Sequence, residues 1–234
     1  MAEAYTSVPL SPLRKVIAAR MAEAARTIPH FRVVVDIEMD ALLSWRARIN
    51  ASSADKVSIN DCLVKACASA LMEHPAINAQ FVGDAIHQYH SADISIVVAV
   101  DGGLATPVIR GADRKSVQEI AVESKALATR AAARQLRMDE ITGGSFSISN
   151  LGAYGVEQFD AIINPPQCAI LAVGSAKRRL VIRDNGESQL ATVLCATLSV
   201  DHRAIDGAVA AKFLATLRGM VEAPGVLETV ARPA

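Results

Sequence analysis

The 234 residues include 24 Lys and Arg against 24 Asp and Glu, so the formal net charge is zero, and 51% of the residues are hydrophobic. Without a basic excess, the composition gives no electrostatic reason to expect binding to nucleic acid or to an anionic membrane. No apolar run reaches the roughly 18–20 residues that cross a bilayer, and the first residues lack the pattern of a signal peptide. We therefore expect a cytoplasmic protein that binds neither nucleic acid nor membranes.

The four cysteines lie in apolar segments and form no CxxC pair. A secreted disulfide framework has denser cysteines in a shorter chain. We expect small buried thiols in a reducing compartment at all four positions. These positions are Cys62, Cys67, Cys168 and Cys195.

A helix is predicted near the start of the chain. Ser11 can cap it, Pro12 suits its first position, and Pro29 ends it by disfavouring a helical residue before it. Residues 1–10 are then an N-terminal arm. Residues 11–234 are predicted to form one catalytic domain, because no low-complexity tract, repeat or long linker divides them.

The middle of the chain combines strands and helices. Apolar residues at alternate positions predict a strand over 33–39, and Asp40 and Asn60 are predicted to cap the two helices that follow. An Ala-rich amphipathic helix is predicted over 116–136. Short apolar runs separated by turn residues predict four strands, at residues 77–82, 85–90, 93–100 and 104–110.

The last third returns to strands and closes with a helix over 206–221. The predicted strands cover residues 145–150, 168–173, 177–183 and 189–200. Helices and strands are interspersed without regular βαβ alternation. We therefore predict an α/β two-layer sandwich with a mixed β-sheet and not a doubly wound nucleotide-binding domain.

Several catalytic motifs are missing from the sequence. There is no GxGxxG after a strand, no GxxxxGK[ST], no HExxH and no GxSxG. His87 and His90 are three residues apart in a predicted strand, where they point to opposite faces. We therefore expect no metal site.

Charged residues are concentrated at residues 199–207 (SVDHRAIDG), where a long apolar strand is followed by the last helix. His202 can act there as a general base, and Asp206 can orient it or neutralise its surroundings. Gly207 permits close backbone approach or an unusual φ. On spacing alone, the simpler explanation is an ordinary helix start capped by Asp206, with a solvated histidine.

A second candidate segment is 143–152 (GGSFSISNLG). Strand alternation places the hydroxyls of Ser145, Ser147 and Ser149 on one face. A row of hydroxyls is by itself best explained as a solvated sheet surface.

Together these two segments resemble the catalytic domain of the dihydrolipoamide acyltransferases, the core enzymes of 2-oxo acid dehydrogenase complexes. The active-site fold of that family is similar to chloramphenicol acetyltransferase. The HxxxDG triplet is moderately specific, and the ordered set of motifs is highly specific. Further matches lie at residues 14–18 (RKVIA), 28–31 (IPHF), 57–61 (VSIND), 103–110 (GLATPVIR) and 149–152 (SNLG). Residues 155–159 (GVEQF) and 161–167 (AIINPPQ) look most like the acetyl-transferring branch.

The resemblance implies roles for three residues. His202 would be the general base, the Ser149 hydroxyl would stabilise the tetrahedral intermediate, and Asp206 would give electrostatic support. The reaction would transfer an acetyl group between coenzyme A and the dihydrolipoyl group of a lipoyl domain, in a pyruvate or acetoin dehydrogenase complex. The serine and the histidine would come from different chains of a homotrimer, which assembles further into a cubic or icosahedral core.

The resemblance also implies substrates and partners. Coenzyme A or acetyl-CoA would be a substrate, and no metal would take part. The family's lipoyl and peripheral-subunit-binding domains have no counterpart in this sequence, so the lipoyl group would be carried on another domain or chain. The sequence is then either an excised catalytic domain or a stand-alone form. The expected partners are a lipoyl domain, a decarboxylase component and dihydrolipoamide dehydrogenase.

Thioester chemistry explains why these residue types are needed. Acyl transfer between thiols requires a thiolate. Proton transfer from a thiol of pKa about 8.5 to an imidazole of pKa about 6.5 is unfavourable by roughly 2.7 kcal/mol, so the imidazole must be oriented and neutral. An oriented hydroxyl at the carbonyl oxygen can contribute roughly 2.7–4 kcal/mol to the transition state.

Some alternatives remain open at this stage. The basic residues 177–179 can contact the nucleotide end of coenzyme A or simply be solvated, and either Arg14 or Arg20 can pair with Asp206. A cysteine, Cys168 or Cys195, could carry the acyl group covalently. The chain could also be a coenzyme A-dependent acyltransferase for a small-molecule acceptor, or a non-catalytic scaffold.

Overall fold

The computed structural model describes residues 4–101 and 103–228. The helices are α1 (Pro12–Thr27), α2 (Asp40–Ser52), α3 (Ile59–Glu73), α4 (Val117–Ala132), α5 (Met138–Ile141) and α6 (Gly207–Glu222). The strands are β1 (His30–Glu38), β2 (Ala79–Val82), β3 (Ala85–Gln88), β4 (Ile94–Ile96), β5 (Val98–Val100), β6 (Gly103–Ala105), β7 (Val108–Ile109), β8 (Phe146–Asn150), β9 (Ala169–Val173), β10 (Lys177–Ile182) and β11 (Ser188–Asp201). Short 3₁₀ turns occur at Ala112–Arg114, Gly152–Tyr154 and Pro224–Glu228.

Seven strands form one mixed sheet in the order β1-β11-β9-β8-β4-β7, with β10 paired to the first part of β11. Strand β8 runs parallel to β9 and β4, and the other pairs are antiparallel. Strands β2 and β3 form a separate hairpin, as do β5 and β6. The predicted α/β fold with a mixed sheet is confirmed.

One face of the sheet carries the main hydrophobic core. Ile148, Leu171 and Leu198 are register partners on β8, β9 and β11, so their side chains share a face. All three are buried against apolar side chains of α2, α3, α4 and α6. Helix α3 is surrounded by this core and is buried along most of its length.

The opposite face has a thinner cover, made by α1 and by residues 156–166, which form no helix or strand. Ala24 and Ile28 meet Ile163 and Ile170 in a second, small apolar cluster. Ala24 is the one buried residue of α1. Large apolar side chains of the arm and of α1 are therefore exposed in the single chain, namely Tyr5, Val8, Leu10, Leu13 and Val16.

The structure differs from the predicted elements at several points. Ser58, not Asn60, caps α3, because Ser58 and Asp61 form a reciprocal capping box. Asp40 is the first residue of α2, and its carboxylate accepts a hydrogen bond from the Thr192 N–H instead of capping the helix. Helix α4 ends at Ala132, earlier than predicted.

The segment 93–100, predicted as one strand, forms two. The chain leaves the large sheet after Ile96 and enters the β5–β6 hairpin. Gly102, in the predicted turn of that hairpin, lies outside the described residues. Residues 1–3 and 229–234 also lie outside them, so the predicted arm and domain are described only in part.

The helices and the cysteines bear on the expectations about membranes and thiols. Within the described ranges, no helix combines the length and the apolar character needed to cross a bilayer. All four cysteines are buried as free thiols, as predicted.

Two glycines give a matched test of packing. At Gly174 a Cβ atom would lie 1.9 Å from the carbonyl oxygen of Glu157, and a backbone atom cannot rotate away. We expect Gly174→Ala to lower the free energy of unfolding by at least about 2 kcal/mol. In α6, Gly219 has no atom near the position that a Cβ would take, so Gly219→Ala should raise the free energy of unfolding by about 0.5–1 kcal/mol. Urea unfolding at equal protein concentration measures both, and a Gly174→Ala variant of wild-type stability would contradict the packing described.

Candidate active site

His202 lies in the turn between β11 and α6. Its backbone N–H donates a hydrogen bond to the carbonyl oxygen of Pro29, at 3.1 Å. Its side chain is exposed. The imidazole meets the ring of Phe31 edge-on, with the ring centroids 4.9 Å apart and the planes at 73°. The start of β1 therefore supports this histidine through both backbone and side chain.

Phe31 also packs on Gly207, the first residue of α6. A Cβ atom at Gly207 would lie 2.9 Å from Cε1 of Phe31. The backbone at Gly207 does not have a positive φ. Close approach is therefore the reason for glycine here, and an unusual φ is not. The HxxxDG spacing brings His202 and Gly207 against the same aromatic ring.

Two neighbours of His202 hold its turn, and neither was predicted from the sequence as a functional residue. Asp201 is buried and accepts hydrogen bonds from the backbone N–H of Arg203 at 3.0 Å and from its Nε and Nη2 at 2.9 and 2.6 Å. This bonding raises the pKa of Arg203. The guanidinium also lies 4.1 Å from the ring centroid of Phe81. The sequence signal for this ion pair is that residues of opposite charge directly precede and follow the histidine.

Asp206 lies at the N-cap position of α6, but its carboxylate makes no capping hydrogen bond. The side chain is exposed. Within residues 4–101 and 103–228, neither of the two arginines proposed as its partner pairs with it. Arg20 instead donates to Oδ1 of Asn164 at 3.3 Å and to the carbonyl oxygen of Pro165 at 3.0 Å.

Ser145 and Ser147 are fully buried, so the solvated sheet surface expected for the serine row is wrong at these two positions. The Ser147 hydroxyl donates to Oε1 of Gln167, and Nε2 of Gln167 donates to the carbonyl oxygen of Gly144 at 3.0 Å. The cover over this face of the sheet excludes water from the row. Ser149, at the end of β8, is the partly exposed member.

One chain does not bring Ser149 and His202 together. Ser149 is the register partner of Ala172, which in turn pairs with Thr197 on β11. From Thr197 the strand continues to Asp201, about 13 Å further at roughly 3.3 Å per residue, and two steps between strands add about 10 Å sideways. The two residues are thus more than about 15 Å apart, far beyond hydrogen-bond distance. A site that uses both residues needs two copies of the chain.

A covalent cysteine mechanism is unfavourable in this structure. Burial raises the pKa of the Cys168 thiol to about 12 and also raises that of Cys195. A buried thiol with a raised pKa supplies little thiolate at neutral pH.

Two cations of the 177–179 cluster form ion pairs within the chain. Arg179 pairs with Asp36 at 3.2 Å and with Glu157 at 2.6 Å, and Lys177 lies 3.7 Å from Glu157. These two cations of the 177–179 cluster are therefore neutralised within the chain. In the part of the chain that the structure describes, no three His, Cys, Asp or Glu side chains are grouped as metal ligands would be.

Comparison with known sequences identifies the family. The family of 2-oxoacid dehydrogenases acyltransferase (catalytic domain) matches residues 2–228. The dihydrolipoyllysine-residue acetyltransferase component of pyruvate dehydrogenase complex from Zymomonas mobilis is 47% identical over 227 residues, which are 95% of this chain and 51% of the relative. The same component from Rickettsia bellii is 43% identical over 229 residues, 96% of this chain and 54% of the relative. The chain thus spans about half the length of these curated relatives.

Solved structures agree with this assignment. Azotobacter vinelandii dihydrolipoamide acetyltransferase, studied for the catalytic roles of a serine, a histidine and an asparagine, is 30% identical with a TM-score of 0.91, over 95% of this chain and 93% of that one. A cubic core of the pyruvate dehydrogenase multienzyme complex is 30% identical with a TM-score of 0.91, over 97% and 95%. Chloramphenicol acetyltransferase, 14% identical with a TM-score of 0.53 over 90% and 94%, shares the fold alone. The chain belongs to the family of 2-oxoacid dehydrogenase acyltransferase catalytic domains.

Proposed function

We propose that this chain transfers an acetyl group between coenzyme A and the dihydrolipoyl group of a lipoyl domain, as the catalytic core of a pyruvate dehydrogenase complex. The observation that carries the proposal is the exposed imidazole of His202, held by Pro29, by Phe31 and by a turn that the Asp201–Arg203 pair fixes. The names of the curated relatives favour a pyruvate complex over an acetoin complex. The likeness to chloramphenicol acetyltransferase extends only to the fold and gives no support to a small-molecule acceptor.

His202 is proposed as the general base. Its neutral imidazole takes the proton of the attacking thiol while the sulfur bonds to the thioester carbon. The imidazolium then returns that proton to the sulfur that leaves, so the transfer consumes no net proton. Support from the backbone and from one aromatic ring restricts the imidazole, which lowers the entropic cost of reaching the thiol.

Ser149 is proposed as the donor to the carbonyl oxygen, which becomes negatively charged when the sulfur attacks. Its hydroxyl lies at the partly exposed end of β8, and the buried bond between Ser147 and Gln167 holds the same strand. A donor held before the reaction contributes roughly 2.7–4 kcal/mol to the transition state.

Asp206 is proposed to act on the electrostatics of the site from the exposed start of α6. The Azotobacter enzyme was studied at an asparagine four positions after its histidine. This chain has Asp206 four positions after His202. A carboxylate at this position adds a negative charge that stabilises the imidazolium formed during the reaction.

We propose a homotrimer in which Ser149 of one copy faces His202 of the next. The separation of the two residues within one chain supports a site shared between copies, and the exposed apolar side chains of the arm and α1 suit burial in an assembly. The similarity to a cubic core supports further assembly of trimers. The proposed partners are a lipoyl domain, the decarboxylase component and dihydrolipoamide dehydrogenase.

Substitution of the two proposed catalytic residues tests their roles. We expect His202→Ala to lower kcat by about 10²–10⁴-fold and Ser149→Ala by about 10²–10³-fold, with much smaller changes in the KM for acetyl-CoA. The measurement is acetyl transfer from acetyl-CoA to dihydrolipoamide. His87→Ala, at an exposed position of β3, is the control. Turnover of His202→Ala within a few-fold of wild type contradicts the assignment of the base.

Mixed assemblies test whether the site is shared between chains. Two inactive variants, His202→Ala and Ser149→Ala, are co-expressed with different tags, and assemblies that carry both tags are isolated. If each site takes its histidine from one copy and its serine from the next, a mixed trimer restores one site in about three, and a large randomly mixed assembly restores about one in four. Activity well above that of either variant is therefore expected. Mixed assemblies without any gain in activity would show that the site is not shared in this way.

The ring of Phe31 can be disturbed without changing His202. Gly207→Ala places a Cβ atom against that ring. The ring must then move, and the His202 imidazole loses its contact with it. We expect kcat to fall by about 10–100-fold, because a displacement of about 1 Å is enough for such a loss. Gly219→Ala, in the same helix but facing open space, is the control. Equal kcat values for the two variants would mean that Phe31 does not position His202.

A further inference from the structure

The cover over the second face of the sheet is held in part by the imidazole of His30, whose two ring nitrogens both meet backbone groups. Residues 156–166, here called the covering coil, have no helix or strand hydrogen bonds of their own. Side chains of α1 and β1 hold the coil at three points. These contacts are Arg32 Nε to Asp160 Oδ2 at 3.0 Å, Ile163 N–H to His30 Nε2 at 3.0 Å, and Arg20 Nη2 to Asn164 Oδ1 and the Pro165 carbonyl oxygen.

The two partners of His30 define its protonation state. The Ile163 N–H is a donor, so Nε2 must accept and carries no proton. Nδ1 lies 2.9 Å from the carbonyl oxygen of Ile28, which can only accept, so Nδ1 carries the proton. The observed arrangement therefore requires a neutral imidazole with its proton on Nδ1.

A second proton on this imidazole would break the contact with the covering coil. Nε2 would then be a donor that faces the donor N–H of Ile163. Ile163 is fully buried in the small apolar cluster, and a buried N–H without an acceptor is unfavourable. Protonation of His30 and closure of the coil therefore exclude each other.

Charged groups surround His30 on every element packed against it, but they are largely engaged with one another. Asp201, the register partner of His30, is bound to Arg203. The remaining groups are Arg32 of β1 with Asp160 of the coil, Glu23 with Arg26 and the separate Arg20 on α1, the thiol of Cys168, the imidazole of His202, and Asp206 at the start of α6. Among these carboxylates Asp206 alone makes no ion pair within the described residues, and it is exposed to solvent.

His30 also connects the covering coil to the proposed site. It follows Pro29, whose carbonyl oxygen binds the His202 N–H, and it precedes Phe31, whose ring supports the His202 imidazole. The coil itself joins the strand of Ser149 to β9. A change in the coil contact at residue 30 therefore lies next to the support of the base.

We infer that His30 is a positioning residue of this site, whose neutral imidazole holds the covering coil closed and whose protonation releases the coil and lowers activity. The inference deepens the proposed acetyltransferase function and rests on it. Its structural part concerns the coil alone and can be measured without any substrate.

Hydrogen exchange of the assembled protein tests the coil. Exchange of peptides covering residues 158–164 is measured at pH 7.5 and 5.5 and corrected for the intrinsic exchange rate. In wild type we expect protection at pH 7.5 and at least a tenfold loss of protection at pH 5.5. In His30→Gln the side-chain amide can accept from Ile163 and does not titrate, so protection should be the same at both pH values. His30→Ala should be unprotected at both, and His87→Gln, at an exposed histidine, should behave as wild type.

The pH profile of acetyl transfer tests the link to the site. Two imidazoles that must both be neutral make log(kcat/KM) fall on the acid side with a slope approaching 2, and His30→Gln should reduce this slope to 1. The inference is overturned if His30→Gln keeps the acid-side slope of the wild type. It is also overturned if hydrogen exchange of the covering coil in the wild type is the same at both pH values. If the coil responds as expected but no variant transfers acetyl groups, the proposed function fails and the coil contact stands.

Discussion

The pairing of β11 with its neighbours determines where the proposed catalytic groups can be. This 14-residue strand pairs with β1, β9 and β10 and ends at the turn that carries His202. Through β9, Ser149 on β8 aligns with Thr197 of β11, which lies four residues before the end of that strand. Because the strands of one sheet cannot slide past one another without breaking their hydrogen bonds, the two residues stay at different ends of the sheet. The proposed sharing of the site between copies thus follows from the register.

The second face of the sheet carries a buried polar cluster. Ser145 and Ser147 would be solvated on an open sheet, but both are buried, and their hydroxyls donate to the side chains of Asn78 and Gln167. Buried polar groups with defined partners favour one arrangement of the chain, because any shift leaves a donor or an acceptor unpaired. Strand β8, which carries Ser149 one residue before its end, is therefore held on one face by the apolar core and on the other by this polar cluster.

Much of the fold could be predicted because the signals were local. Pro12 and Pro29 bound α1, and alternation around residues 33–39 identified β1 within a few residues. The choice of Asn60 as the cap of α3 failed because two suitable caps lie close together, and the reciprocal bond between Ser58 and Asp61 decides between them. Helix α4 was predicted too long because composition alone did not indicate where its last turn ends.

The site was less accessible to sequence reasoning, because its properties depend on distant residues. Burial of Ser147 depends on Gln167 and on a coil with no pattern of its own. The need for glycine at position 207 depends on a ring at position 31, in another strand. The charges of Asp201 and Arg203 were visible, but only the structure shows that they bind each other in a bidentate pair.

The two segments nearest the proposed base form one packing unit. Pro29 binds the backbone of His202, His30 is the register partner of Asp201, and Phe31 contacts the His202 ring and Gly207. The IPHF segment and the HxxxDG segment, far apart along the chain, are thus the two sides of a single contact. A histidine and a glycine at the right spacing occur easily by chance, whereas a matching segment that supplies the carbonyl and the ring does not. This explains in physical terms why the ordered set of motifs is more specific than the triplet alone.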